Sequence, residues 1–411
     1  MRFCTWLLTL LLPVILLPLL PAADDKKSDD TGITWKKTVL DTKFRAEGVA
    51  VADVNKDGKL DVLAGEVWYE APDWKRHEIK KPGDYGNGDG SYSHTFACWA
   101  EDVNADGFPD LIVIDFPGTP CYWMENPKGK DEHWKQHPIW HSACNETPTY
   151  LDLLGNGKRV LLMGFQPKGA ENQGQMAYFT PSDDPTQQWK MHPISEPSTK
   201  ERPIPGTHRF AHGLGAGDIN GDGKRDVICT EGWWEQPAQV DERPWKFHPA
   251  KLGDACADMF AYDMDGDGKA DVISSSAHNY GIWVHLQKPG TGDDPAFLKQ
   301  DLFPHLVSQT HAMHCVDING DGVKDLVTGK RWWAHGSRGD ADPNLPAKLF
   351  WFEAKKAGDG LIRFTPHEID DASGIGTQFT VTDVNGDKLL DIVVANKKGV
   401  FVFEQQRELR K

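Results

Sequence analysis

The stretch GDINGDGKRDVI, residues 217–228, decides the fold. Asp218, Asn220, Asp222 and Asp226 stand at positions 1, 3, 5 and 9 of a nine-residue turn, with Gly223 at position 6. Oxygens in that order around a sharp glycine turn suit a hard cation, with the backbone carbonyl at position 7 as a further ligand. The order is that of the start of an EF-hand loop, without the flanking helices or the final glutamate.

The chain writes this turn repeatedly. DVNKDGKLD (53–61) supplies Asp53, Asn55, Asp57 and Asp61, and DVNADGFPD (102–110) supplies Asp102, Asn104, Asp106 and Asp110. DMDGDGKAD (263–271) holds Asp263, Asp265, Asp267 and Asp271, and DINGDGVKD (317–325) holds Asp317, Asn319, Asp321 and Asp325. DVNGDKLLD (383–391) keeps Asp383, Asn385, Asp387 and Asp391 but has Lys388 at the glycine position. DLLGNGKRV (152–160) keeps the place and loses the acids. Structural Ca²⁺ is expected at the five intact loops, more weakly at 383–391, and not at 152–160.

First positions lie 49, 50, 66, 45, 54 and 66 residues apart. Each turn is followed by an apolar strand such as LIVID, then an aromatic strand such as VWYEAP, then a segment such as WKRHEI. Four short strands per ~55 residues, punctuated by Gly and Pro, describe a propeller blade. The reading is all-β: a seven-bladed β-propeller of four-stranded blades over residues 33–411. The chain ends on a third strand, VFVFEQ, and opens on a fourth-strand segment at Trp35 to Leu40. The N-terminal strand is therefore expected to complete the last blade and leave few exposed edges. The aromatic residues that recur in the third and fourth strands are expected to pack between blades, which gives the Trp-rich composition its use.

Residues 1–23, MRFCTWLLTLLLPVILLPLLPAA, read as a signal peptide, and 24–32 as a polar linker. An uncleaved anchor is the competing reading of the apolar run; Cys4 is not placed for lipid attachment. The expected location is secreted or periplasmic, with no membrane span after cleavage. The net charge of −16 leaves no basic stripe to neutralise phosphates, which excludes nucleic acid as a partner. Six cysteines follow the leader without a CxxC pair, as buried thiols or as disulfides whose pairing the sequence leaves open, as it does the oligomeric state.

The D-x-[DN]-x-D-G-x-x-D loops in a strand-rich repeat resemble the FG-GAP or VCBS repeat family, which includes the calcium loops of the integrin alpha-chain propeller. The resemblance implies the fold and calcium, and says little of function. The Trp-x-x-His segments and WYE-type strands are similar to the propeller of fungal aldos-2-ulose dehydratase and its bacterial relatives, without sequence for that enzyme's extra domains.

Histidines separate into two groups. His77, His137, His192, His248 and His367 occupy one repeated slot and serve the blade. The slot six residues before each first Asp breaks the repeat: Glu47, Phe96, Glu146, His212, Ala257, His311 and Thr377. First strands line the channel of a propeller, so this level lies opposite the acidic loops. His212, His311, Glu47, Glu146 and His94 are the candidate catalytic residues. Turns between second and third strands add Glu66, Asp115, Glu231, His278, Lys330 and Arg331, and the long loop WWAHGSRGDADPNLPA opens on the same face. The RGD triplet 338–340 inside it reads as chance.

Such a face suits carbohydrate, with carboxylates and His on hydroxyls and Trp against the ring. Histidine and glutamate ligands there suit an additional divalent transition metal such as Zn²⁺. A metal polarising a carbonyl beside a base is the machinery of lyase or dehydratase β-elimination on a keto-sugar or uronic acid. The alternative is a non-catalytic adhesion or glycan- or protein-binding scaffold for an extracellular ligand.

Overall fold

The computed structural model describes residues 31–166, 169–170, 173–290, 295–358 and 361–407. The expected signal peptide lies outside the described residues, as does the linker up to residue 30. Among the described residues there are 28 strands and no helix, and so none long and apolar enough to cross a membrane.

The first sheet shows the unit. Ala50–Ala52, Asp61–Ala64, Val67–Glu70 and Lys75–Glu78 pair antiparallel in chain order. Second strands are buried on both faces, as at Asp61–Ala64 and Asp110–Ile114, because each sheet is covered by a neighbour on either side. That double burial is why they read as unbroken apolar runs. The core lies between sheets: Trp123 packs with Leu161 and Phe179 of the following sheet.

The molecule is a propeller arrangement of four-stranded sheets, but the expected seven separate blades are corrected. Among the described residues, five sheets stand alone as four-stranded blades, and the strands from Leu214–Gly217 to Ala296–Asp301 form one eight-stranded sheet. The join is a parallel pairing of Leu214–Gly217 with Asp258–Tyr262, in register at Gly215↔Met259. Glycine makes it possible. A Cβ on Gly215 would lie 1.8 Å from the Met259 carbonyl oxygen, and one on Gly217 would lie 2.3 Å from the Ala261 Cβ.

Ile33–Asp41 pairs antiparallel with Gly399–Arg407, so the two ends of the chain share one sheet. Lys37 Nζ lies 4.9 Å from the centroid of the Phe401 ring and 5.6 Å from that of Phe403 across this junction.

The acidic loops join first to second strands. Their position-9 aspartates were expected as ligands, and the structure gives them a further task. Asp61 is fully buried; one oxygen accepts from Val54 N (2.9 Å) and the other from Ala71 N (2.8 Å), at the end of the third strand. Asp226 repeats this with Ile219 N and Gln236 N, both at 2.9 Å. Each such carboxylate fastens its loop to the far side of its sheet. Lys388 takes the left-handed turn conformation (φ 72°) that Gly takes in the other acidic copies.

The repeated histidines pack as scaffold. His77 stacks on Trp68 (4.3 Å), His137 on Trp123 (4.5 Å), His248 on Trp233 (4.0 Å) and His367 on Trp351 (4.6 Å). Each ring presents Nε2 to the carboxylate two residues beyond its tryptophan, as His248 does to Glu235 at 2.8 Å. His192 does the same with Tyr178 and the hydroxyl of Thr180. Six cysteines, Cys98 to Cys315, are buried free thiols.

Candidate functional site

Four of the five candidate catalytic residues fall in or beside one buried cluster. A parallel bridge between Asn145 and Ala211 sets Glu146 beside His212, with Glu146 N donating to Ala211 O (2.9 Å). His311 precedes the strand Met313–Val316, and Arg331 N donates to Gln309 O (2.9 Å), which holds Arg331 beside it. His278 enters from the turn after Asp271–Ser275.

His311 Nε2 is 3.2 Å and His212 Nε2 3.5 Å from the same oxygen, Oε2 of Glu146. His278 Nε2 is 2.8 Å from His212 Nε2. Ligating nitrogens of His212, His278 and His311 all lie within 4.8 Å of one another. Glu146 is held from behind by Arg331 Nη1 at 3.7 Å, and Arg331 Nη2 donates to Glu47 Oε1 at 3.1 Å. Ser93 donates its hydroxyl and its N–H to the other oxygen of Glu47. Glu47 is thus a buried anchor for Arg331 rather than a group facing the cluster.

His94 does not join. It is exposed and pairs with Asp115 at 3.1 Å. Glu66 accepts from Tyr85, Glu231 from Thr230, and buried Lys330 donates to Ser308, so these turn residues also stay outside.

Two residues of the long loop enter instead. Asp340 Oδ1 accepts from His335 Nδ1 (2.9 Å) and stands 3.2 Å from His278 Nδ1, off the hydrogen-bonding line. Its side chain is 9% exposed, so the RGD triplet does not present its carboxylate to solvent. The signal for His335 and Asp340 was in the sequence: the loop carrying them is an insertion between second and third strands that the repeat does not need.

The protonation states follow from burial. Desolvation pushes His311 down to about 3, assisted by the Arg331 charge, and pushes His212 down to about 4 against the pull of Glu146. Burial alone would raise the Glu146 carboxyl, but the His311 hydrogen bond and the charges around it, Arg331 among them, hold it well below the usual range. Burial thus favours neutral imidazoles at His212 and His311 beside an ionised Glu146.

The His278 geometry is informative. His212 Nδ1 donates to Phe210 O at 2.8 Å, so its Nε2 carries a lone pair. A neutral His278 has one N–H for two acceptors, His212 Nε2 on one side and Asp340 on the other. Whichever way it turns, two lone pairs face each other. A cation among the ring nitrogens of His212, His278 and His311 removes the conflict, as a proton on His278 also would. The donor set, three imidazoles and a carboxylate, fits a divalent transition metal.

The acidic loops fit a hard cation. In 53–61, Asp53 accepts from the N–H of Asp57 (3.0 Å) and Gly58 (3.1 Å), which winds the loop around its own oxygens. In 263–271, ligand oxygens of Asp263, Asp265 and Asp271 lie within 4.8 Å of one another. Lysines balance several loops, Lys288 Nζ standing 2.6 Å from Asp265.

Residues 263–328 match the family model of the FG-GAP-like repeat. No curated protein matches the chain. Among solved structures, the chain is similar to a lectin of Agrocybe aegerita that recognises non-reducing terminal N-acetylglucosamine, at 16% identity over 82% of this chain and 81% of that one, TM-score 0.42. It is similar to rhamnogalacturonan lyase YesW at 13% identity over 94% and 74%, TM-score 0.42. It is similar to BBS1N, solved in complex with ARL6DN, at 10% identity over 92% and 98%, TM-score 0.48. The chain carries the FG-GAP-like repeat within a propeller arrangement of four-stranded sheets.

Proposed function

We propose that the chain is an extracellular, calcium-stabilised propeller that acts on carbohydrate as a lyase or dehydratase, with a divalent transition metal at His212, His278, His311 and Glu146. The observation that carries this is the meeting of three imidazoles whose ring nitrogens lie within 4.8 Å of one another, with those of His212 and His311 beside one Glu146 oxygen, at the level where the repeat fails. Bound there, such an ion supplies Lewis acidity toward a carbonyl or carboxylate oxygen of a keto-sugar or uronic acid.

The chain's own residues supply the rest. Arg331, anchored by Glu47, keeps Glu146 ionised and aimed. Asp340 holds the Nδ1–H of His335, whose pKa is raised by that hydrogen bond, and leaves the exposed side of the ring to move a proton at the mouth of the site. Phe210, 40% exposed two residues before His212, offers an apolar face to a sugar ring.

The test is elemental analysis of the purified chain after dialysis, followed by incubation with keto-sugars and uronic-acid glycans while the absorbance of a new C=C bond is recorded. About one equivalent of transition metal, lost in His278→Ala and His311→Ala together with turnover, is the expected result. An intact chain that binds no transition metal, or a double variant with full turnover, overturns the assignment.

A further inference from the structure

A cleft of about 1060 Å³ opens beside Trp332 and Trp333, at the upper end of ligand pockets at roughly 300–1,000 Å³. Six cationic side chains line it, Lys43, Arg45, Arg76, Lys81, Lys397 and Lys398, against two acids, Glu78 and Asp84. This is the reverse of the whole chain, whose net charge is −16. A local excess of cations on an acidic protein needs a reason, because self-attraction within the fold accounts for only part of it. Arg45 is held by Asp41 at 2.7 Å, and Arg76 lies a loose 3.7 Å from Glu78. The side chains of Lys43 and Lys81 have no carboxylate partner among the described residues, and both are exposed.

The cleft also has an aromatic wall. Trp332 and Trp333 stack at 4.9 Å, both half-buried, and Lys398 Nζ lies 4.3 Å from the centroid of the Trp332 ring. The pair is built in: Trp333 Nε1 donates to Asn344 (3.0 Å), and buried Lys397 donates to the carbonyls of Trp333 (2.9 Å) and Gly88 (3.0 Å). One short segment, 332–335, thus sends its tryptophans into the cleft and His335 into the imidazole cluster.

Cations beside flat apolar rings recognise a ligand that is both anionic and ring-shaped. A sugar presents C–H faces to tryptophan, and a carboxylate on that sugar pairs with Lys or Arg. A bare anion has no use for the Trp pair, and a neutral sugar has none for the lysines. A long polyanion such as nucleic acid is opposed by the chain's net charge of −16. We propose that this cleft is a binding site for anionic carbohydrate, of the uronic-acid class, with Trp332 and Trp333 taking the ring and Lys43, Lys81 and Lys398 the carboxylates. This assignment concerns binding and stands whether or not the imidazole cluster carries a metal.

The experiment is calorimetric titration of the full chain with oligogalacturonate, with a neutral glucan oligosaccharide of the same length, and with inorganic polyphosphate. Binding of oligogalacturonate that weakens with added salt, with no detectable binding of the neutral glucan, is expected. Trp332→Ala and the pair Lys43→Glu with Lys81→Glu should each weaken it about tenfold or more. The lysine pair is exposed, so its fold is expected intact and is verified by an unchanged melting curve. Equal affinity for the neutral glucan, polyphosphate binding as tight as oligogalacturonate and indifferent to Trp332→Ala, or no effect of either variant overturns the proposal.

Discussion

Arg331 shows how much one side chain holds in this molecule. It is 2% exposed and stands between two buried carboxylates, Glu47 and Glu146. Arg331→Met keeps the volume and removes the charge. Two buried anions are then left without their cation, a cost on the order of 3–5 kcal/mol. The urea midpoint should fall accordingly, and Glu47→Gln in the same chain should restore part of the loss. His285 makes a different kind of contribution. It is fully buried, its Nε2 has no partner, and desolvation pushes it down to about 4 from 6.5. A depressed folded-state value means that the unfolded chain binds the proton first. Its contribution is whole above pH 6.5 and is lost as the pH falls through the folded value near 4. Roughly 3 kcal/mol rides on this one ring. Denaturation free energies measured between these pH values should fall with acid, and His285→Leu should flatten that slope; an unchanged slope would remove the argument.

Among the elements, the strand Leu214–Gly217 is the one that departs from the repeat. Its two glycines let a neighbouring strand come within hydrogen-bonding distance, and two sheets become one. Gly215→Ala puts a methyl group against the backbone of Met259, which no rotamer can relieve. We expect the parallel join to open and stability to drop by about 1–3 kcal/mol or more, read from thermal unfolding. Hydrogen exchange should locate the lost protection at Leu214–Gly217 and Asp258–Tyr262; protection unchanged there would show that the join carries no load. The His–Trp pairs are the opposite case. His248 against Trp233 and Glu235 repeats in four other sheets with small substitutions, so it was legible from the sequence alone as packing.

At the scale of the molecule, strand closure holds the ring, and a second device is proposed beside it. Calcium is proposed for the acidic loops; bound to the folded chain and not the unfolded one, it should raise the melting temperature when added, and exhaustive chelation should lower it. An identical melting curve after chelation would remove calcium from the account. The closure is the pairing of Ile33–Asp41 with Gly399–Arg407. Deleting residues 31–41 bares the edge of the closing strand and the faces of Phe401 and Phe403. Loss of the cooperative transition and association through the free edge are expected, seen by size-exclusion chromatography and circular dichroism. A monomer with an unchanged melting curve would show that closure adds nothing.

Much of this was written in the chain by itself. Short apolar and aromatic strands, acidic turns of fixed spacing and the repeated His slot depend on neighbours a few residues away, so all-β sheets, the loops and the scaffold histidines could be read locally. The level carrying Glu146, His212 and His311 was legible for the same reason, as the place where a regular pattern stops being regular. The number of separate sheets was not legible, because it turns on whether two inner strands of different repeats approach closely enough to bond, and that is set by glycines only once the ring is assembled. The placing of Glu47, His94, His335 and Asp340 was likewise decided by the tertiary structure. Equal positions in a repeat share a height in the channel but not a side-chain direction or a partner. Glu47 turned to Arg331 and His94 to Asp115, while a loop distant in sequence brought His335 and Asp340 to the imidazoles.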